Sequence, residues 1–407
     1  MSAAHLRSAP PVSEPVNQVS ESERLARVSL SCAVEPGDAT TSSLVRQLGA
    51  ERALERSLSA AEGEVGEMLA QRLAAVEAVR QLDQAARCGI RFVVPGDPEW
   101  PTGLDQLDDA VADDGFGGTP PGLWVKGPMP LTELAASVAV VGSRAASVYG
   151  VETARAVCQH LALSGVPVVS GGALGIDFEA HDATLSADGV TAAVLACGVD
   201  RVYPAQNRRL LQHLAAEFAV VSEQPPGSAP TRPRFLARNR LIAAMTTGTV
   251  VVEAALRSGA LNTAGWAARL YRPLMSVPGP VTAAQSEGTH ELLRTGAASL
   301  VTRGEEVLEL VASNGEHLVA PRRGRVYARD RLPPRHQQVL DAVPRHRGVG
   351  ADAIARTAGI GLLDTQTALQ RLERAGIVAR TSEGWRIRDV NAPDSAAENP
   401  EVPTMKP

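Results

Sequence analysis

A chain of 407 residues, 44% of them hydrophobic, has room for two or three domains with sizeable cores, and its formal net charge of −5 does not mark the whole molecule as a polyanion binder. Lys126 and Lys406 are the two lysines among 40 basic residues, so no Gly-x-x-x-x-Gly-Lys-Ser/Thr loop exists and a nucleotidase of that type is excluded. The cysteines Cys32, Cys88, Cys158 and Cys197 stand at no metal spacing, and no apolar run approaches the ~18 residues of a membrane span. These features predict buried thiols in a soluble, cytoplasmic protein with no metal and no membrane partner.

Residues 1–22 are polar, proline-rich and without periodicity, and are expected to be disordered. From 23 to 88, "LVRQLGAERALERSLS" and "EMLAQRLAAVEAVRQLDQAARCG" place Leu, Ala and Val at three- and four-residue steps, which predicts a small helical domain. Short strands follow in "RFVVPGDPEW" and "PPGLWVKG". Six apolar runs then end in small or turn residues: "SVAVVGSR", "VPVVSGG", "TAAVLACG", "FAVVSEQ", "TGTVVVEAA" and "PLMSVPG". Continuous apolar runs, rather than alternation, fit strands covered on both faces. With helical stretches between them, the region 89–312 predicts an α/β, Rossmann-like, doubly wound and mostly parallel sheet. A basic linker (313–332) leads to three helical segments and a hairpin (333–389), read as a winged helix-turn-helix, and a polar tail (390–407) expected to be disordered.

Local charge departs from the bulk balance. Between Arg201 and Met245 seven arginines face Glu217 and Glu223, an excess of +5, and between Pro321 and Arg347 eight face Asp330 and Asp341, an excess of +6.

In a parallel sheet, ligands sit at the carboxyl ends of the strands. There, Gly142, Ser143 and Arg144 precede a helix entrance near Ser147, a ready anion site. The later glycines of the dinucleotide fingerprint are missing, and the next strand ends in Ser170-Gly171 instead of an acid, so neither NAD nor FAD is expected and no cofactor is implied. Gly171, Gly172 and Gly175 would let backbone approach a ligand, and Asp177 reads as a helix N-cap or as a chemical group. His181, four residues on, reads as structural. Asn207, Arg208 and Arg209 open another helix, where the cations oppose the helix dipole unless an anion is bound. Arg238, Asn239 and Arg240 are placed near a helix start, and Ser258, Gly259, Asn262 and Thr263 in a loop after Glu253. Four phosphate-friendly loops along one rim exceed the needs of a mononucleotide and suit a charged polymer.

The blocks "VGSR", "SGGALGID", "YPAQN", "SEQPPG", "FLARNRLIAAM", "VVEAALRSGALNTA", "VPGPV" and "EGTHELLRTGA", in unbroken order over about residues 90–312, closely resemble the DNA-processing protein A family (DprA, also called Smf). The N-terminal helices resemble its helical, SAM-like domain in position. A glycine-rich hairpin usual there is replaced by "EPGDATTSS". The resemblance implies a homodimeric protein without a catalytic requirement that binds single-stranded DNA and loads the RecA recombinase during natural transformation. It carries DNA contact to Arg144, to the Gly171–Gly175 loop and to Arg238–Arg240. Relatives commonly have lysine where Arg208 stands, and a basic residue where this chain has Leu174.

With 3% aromatic residues, base stacking is limited to Tyr203 and Phe235, and Phe235 is expected in the core. The rival reading is a Rossmann-like hydrolase of nucleoside monophosphates using Glu253, for which the alternative is a capping or arginine-pairing role. A third is a transcription factor led by the winged helix, whose recognition helix would present Gln366, Gln370, Arg371 and Arg374; with Asp364 and Glu373 opposing those arginines, the winged helix is read as a protein-interaction or auxiliary module with weak duplex contact.

Overall fold

The computed structural model describes residues 19–59, 63–110, 116–313, 315–320 and 331–388. The stretches 1–18, 321–330 and 389–407 lie outside the described residues, so most of the two segments expected to be disordered and the arginine-rich centre of the linker have no structural account. The chain divides into two compact units, 1–319 and 320–407.

The first unit opens with five helices: α1 (Glu21–Ala33), α2 (Ala39–Leu48), α3 (Ala50–Ser59), α4 (Gly63–Ala74) and α5 (Ala78–Arg87). Ser20 caps α1 by accepting from the Glu23 N–H, and the Asp38 carboxylate caps α2 through Thr40 and Thr41. These helices share a core with the sheet that follows. Val28 of α1 and Ala85 of α5 pack in one cluster with Phe92, Trp124, Leu195 and Val220.

That sheet has nine strands: β1 (Ile90–Val93), β2 (Leu123–Lys126), β3 (Val138–Val141), β4 (Val168–Ser170), β5 (Thr191–Val194), β6 (Ala219–Ser222), β7 (Gly248–Val251), β8 (Leu274–Ser276) and β9 (Ser299–Leu300). Their spatial order is β1-β2-β6-β5-β4-β3-β7-β8-β9. All pairings from β6 to β9 are parallel, as the apolar runs predict, while β1 and β2 add an antiparallel edge beside β6. The crossovers are α6 (Val148–Leu163), α7 (Ile176–Ser186), α8 (Arg208–Glu217), α9 (Arg232–Met245), α10 (Gly259–Arg269) and α11 (Glu287–Arg294), and α12 (Gly304–Val311) follows β9.

The pleat sends alternate residues to opposite cores. Ala139 and Val141 of β3 join Val169, Val194, Leu241 and Trp266 on one face, whereas Val138 and Val140 join Val157, Leu161, Ile176 and Val250 on the other. The chain winds outward from β3 through β4, β5 and β6, then returns to lay β7 against the free side of β3. The order of winding reverses between β3 and β7, and that crevice is where ligands of such sheets bind.

Of the four cysteines read as buried, Cys158 and Cys197 are, Cys32 is half-buried and Cys88 is exposed. Among the described residues no helix is long and apolar enough to cross a membrane.

The second unit contains α13 (Pro334–Asp341), α14 (Ala351–Ala358) and α15 (Leu362–Arg374), then the antiparallel hairpin β10 (Val378–Thr381) and β11 (Gly384–Ile387). Gly359, at φ +64°, ends α14 in the left-handed conformation that turns the chain into α15. Val339, Ile354, Leu369, Leu372, Val378 and Trp385 form its core.

Candidate nucleic-acid interface

The loop after β3 is held from two sides. Ser147 caps α6 by accepting from the Gly150 N–H at 3.1 Å, and Ser143 folds back to accept from Ala145 at 3.1 Å. The Ser143 carbonyl accepts from the Ile176 N–H at 3.1 Å, so this turn leans on the start of α7. Gly142 and Gly175 are the contact points. A side chain at Gly142 would strike Ile176, and one at Gly175 would strike the backbone of Ser143 and Arg144. These glycines therefore serve the close approach of two loops. Arg144 emerges exposed from this junction, its guanidinium 4.9 Å from the centre of the Phe235 ring.

Asp177 is not the N-cap of α7; Gly175 holds that position. The carboxylate turns back and accepts the N–H groups of Gly171 and Ala173, which fixes the glycine loop from within. Asn207 completes the loop from the other side by donating to the carbonyls of Gly172 (3.0 Å) and Ala173 (2.9 Å). Burial pushes the Asp177 carboxyl up, against the pull of Arg238 and the two N–H donors. Ser170, expected at the rim, is fully buried and donates to the Val140 carbonyl at 2.6 Å. Its hydroxyl belongs to the sheet.

The sequence misplaces Arg238, Asn239 and Arg240. They lie in the middle of α9, where every residue from Ala237 to Met245 is buried, not at a helix start. Arg238 donates to the carbonyls of Gly171 (2.6 Å) and Val194, and to Asn239 Oδ1. It thus ties the ends of β4 and β5 to α9. Burial lowers its guanidinium to about 10, with Asp177 opposing the shift and Arg144 adding to it, so the group stays charged at neutral pH. Asn239 donates to the Gly259 carbonyl and to Asn262 Oδ1, both at 3.2 Å, pinning the start of α10. Arg240, 1% exposed, forms a two-point ion pair with Glu223 and donates to the Gly118 and Ala237 carbonyls. This corrects its assignment as a DNA ligand: its guanidinium is enclosed by protein partners and does not reach the rim.

Ser258, Gly259, Asn262 and Thr263 are likewise not a loop. Ser258 is the N-cap of α10, accepting from Ala260, and the other three lie in that helix, with Thr263 buried. Gly259 is exposed and Asn262 half-buried beside it. Glu253 is 1% exposed; it accepts from the Ser147 N–H at 2.9 Å and from the Ser147 hydroxyl. The carboxylate at the β3/β7 crevice therefore caps α6, one of the roles the sequence left open.

Arg144, Arg201, Arg208, Arg209 and Arg232 are exposed on the segments that follow β3, β5 and β6. Phe235, expected in the core, is only half-buried, and its ring stands 5.7 Å from that of Tyr203, which is 44% exposed. Sequence reasoning named Tyr203 and Phe235 as the candidate stacking rings and Arg144 as a phosphate contact, but not that the three meet in one group. Its one signal is that Phe235 precedes the wholly buried part of its helix. The site is a rim of exposed arginines and two rings, standing on loops whose shape is fixed by a buried layer of Asp177, Asn207, Arg238 and Asn239.

The family described as DNA recombination-mediator protein A matches residues 91–312, and the chain belongs to it. It is 43% identical over 382 residues to the DNA processing protein DprA of Mycobacterium tuberculosis, covering 91% of this chain and 95% of that protein. To the protein Smf of Escherichia coli it is 39% identical over 259 residues, covering 62% of this chain and 68% of the relative. The X-ray structure of DprA from Streptococcus pneumoniae superposes with a TM-score of 0.60 at 29% identity, over 73% of this chain and all of that one.

Proposed function

We propose that the carboxyl-end rim of the sheet binds single-stranded DNA and that the protein is a recombination mediator that protects incoming strands and loads the RecA recombinase during natural transformation. It works as a homodimer and needs no cofactor. The observation that carries this reading is the set of exposed arginines, Arg144, Arg201, Arg208, Arg209 and Arg232, on the segments that follow β3, β5 and β6, together with the Tyr203–Phe235 ring pair that Arg144 covers. Arginines neutralise phosphates without regard to sequence, and exposed rings accept any base by stacking. The family membership supports the same class of partner. The three helices and hairpin of the second unit are a winged helix-turn-helix, an accessory to the rim.

Against the rival hydrolase stands the engagement of the Glu253 carboxylate by the Ser147 N–H and hydroxyl. The test is fluorescence anisotropy with a labelled single strand and a duplex control across a salt series. The wild-type chain is expected to prefer the single strand. Arg144→Ala with Arg208→Ala is expected to weaken that binding and to reduce the log–log salt slope by about 1.4, at about 0.7 per phosphate. Single-strand binding indifferent to both arginines sinks the reading.

A further inference from the structure

Residues 331–388 hold ten arginines against Asp341, Asp352, Asp364, Glu373 and Glu383. Arg335 pairs with Asp364 (3.6 Å) and Arg356 with Asp352 (3.2 Å). The remaining arginines are not spread evenly. Arg380 lies on β10, Arg386 on β11, and Arg388 just beyond, its N–H bonded to the Ile377 carbonyl at 2.9 Å. The segment 344–349 extends the same ladder on the free edge of β11: Ile387 donates to Pro344 at 2.9 Å, and Val349 and Trp385 exchange bonds of 3.0 and 2.8 Å. That segment carries Arg345 and Arg347. Five arginines therefore share one three-segment sheet, all exposed, and among the described residues none of them forms an ion pair; Glu383 in the hairpin turn is the described acid among them.

The helix that would read a groove is built differently. In a helix-turn-helix the N-terminal residues of the second helix face the base edges. On α15 these are Leu362 and Leu363, 47% and 77% exposed, and the acidic Asp364. Arg371 and Arg374 sit in the last turn, where cations answer the helix dipole.

We propose that the hairpin and its adjoining strap, through Arg345, Arg347, Arg380, Arg386 and Arg388, bind the phosphate backbone of double-helical DNA, while α15 takes no part in reading it. The choice of duplex over single strand rests on the rings. Trp385 is the one Phe, Trp or Tyr in 331–388, and it is 8% exposed within the core, so unpaired bases find no stacking platform here. Charge without base-edge contacts gives binding that is salt-sensitive and indifferent to sequence. This second surface is independent of the sheet rim and can hold even if the rim reading fails.

The test uses the full chain carrying Arg144→Ala and Arg208→Ala, so that the rim does not mask the hairpin, with a labelled DNA duplex across a salt series. Adding Arg345→Gln, Arg347→Gln, Arg386→Gln and Arg388→Gln is expected to weaken duplex binding at least tenfold and to lower the log–log salt slope by about 3 to 4, at about 0.9 per phosphate. Arg371→Gln with Arg374→Gln is expected to leave both within twofold. These side chains are exposed, and an unchanged melting temperature checks that the variants fold. Absence of duplex binding before the hairpin substitutions, no change after them, or a loss that follows the α15 pair instead, overturns the proposal.

Discussion

The Arg238 guanidinium lies directly against Gly171, donating to its carbonyl at 2.6 Å and filling the space where a side chain at that position would begin. The glycine is there to admit a buried cation that joins β4, β5 and α9. Gly171→Ala is expected to displace Arg238, to destabilise the protein by about 1–3 kcal/mol through overpacking, and to weaken single-strand binding by disordering the loop beneath the rim. Gly259→Ala is the matched control, since nothing lies within 4 Å of its missing side chain. Its stability in urea unfolding should stay within about 0.5 kcal/mol of wild type. Equal effects at the two positions would contradict the packing role of Gly171.

Arg240 and Glu223 make another enclosed contact, a two-point ion pair at 2.7 and 2.8 Å with side chains 1% and 7% exposed. Removing one partner strands the other charge out of water. Glu223→Leu or Arg240→Met alone is expected to cost about 3–5 kcal/mol, and the double variant Arg240→Met with Glu223→Leu less than either single. A double-mutant cycle by denaturant unfolding measures this coupling. Additive costs would show that the pair does not act as a unit.

The parallel core was legible because each of its longer strands is a short apolar run ending in small residues, and burial on both faces leaves that signature wherever it occurs. The rim was half legible. Arg144 and Arg208 stand exposed beside strand ends, where local sequence alone puts them. Arg238 and Arg240 were misread because burial of an arginine depends on partners far along the chain: the Gly171 and Val194 carbonyls and the Glu223 carboxylate. A local signal did exist. With "LIAAM" following directly, α9 has no polar face for those arginines to occupy. The edge strands β1 and β2 were visible as strands, but nothing in their sequence says that they extend the sheet as an antiparallel edge beside β6.

His181 adds a pH dependence that can be read from its network. The Thr191 hydroxyl donates to the Val168 carbonyl at 2.7 Å, so it must accept from His181 Nδ1, also at 2.7 Å, leaving Nε2 unprotonated and without a partner. Burial, with Arg238 adding to it, holds the imidazole at about 3. A group depressed in the folded state contributes stability that is present above its unfolded value, near 6.5, and lost as pH falls towards 3. Between pH 7 and pH 5 this loss is about 2 kcal/mol. Asp177, raised by burial, works in the opposite sense, so the comparison must be with a variant that keeps it. In urea unfolding, His181→Gln is expected to lose about 2 kcal/mol less than wild type over that pH interval. Identical pH dependence in the two proteins would refute the buried neutral histidine.

The rings at the rim make the sharpest separation between strand types. Tyr203 and Phe235 stand 5.7 Å apart, and Arg144 covers Phe235 at 4.9 Å, so one ring both meets the other and orients the exposed cation. A base stacked on this group would contribute about 1–3 kcal/mol, while a duplex, whose bases are already stacked on each other, would gain nothing from it. Phe235→Ala should therefore weaken single-strand binding by about 5- to 150-fold at constant salt. Its effect on the salt slope should be smaller than that of Arg144→Ala, because a ring releases no counterion. Tyr203→Ala should follow the same pattern, and Tyr203→Phe should retain affinity if stacking, not the hydroxyl, is what counts. A Phe235→Ala variant that lost single-strand and duplex binding alike, at unchanged melting temperature, would show that the ring only props Arg144 and that the bases lie elsewhere.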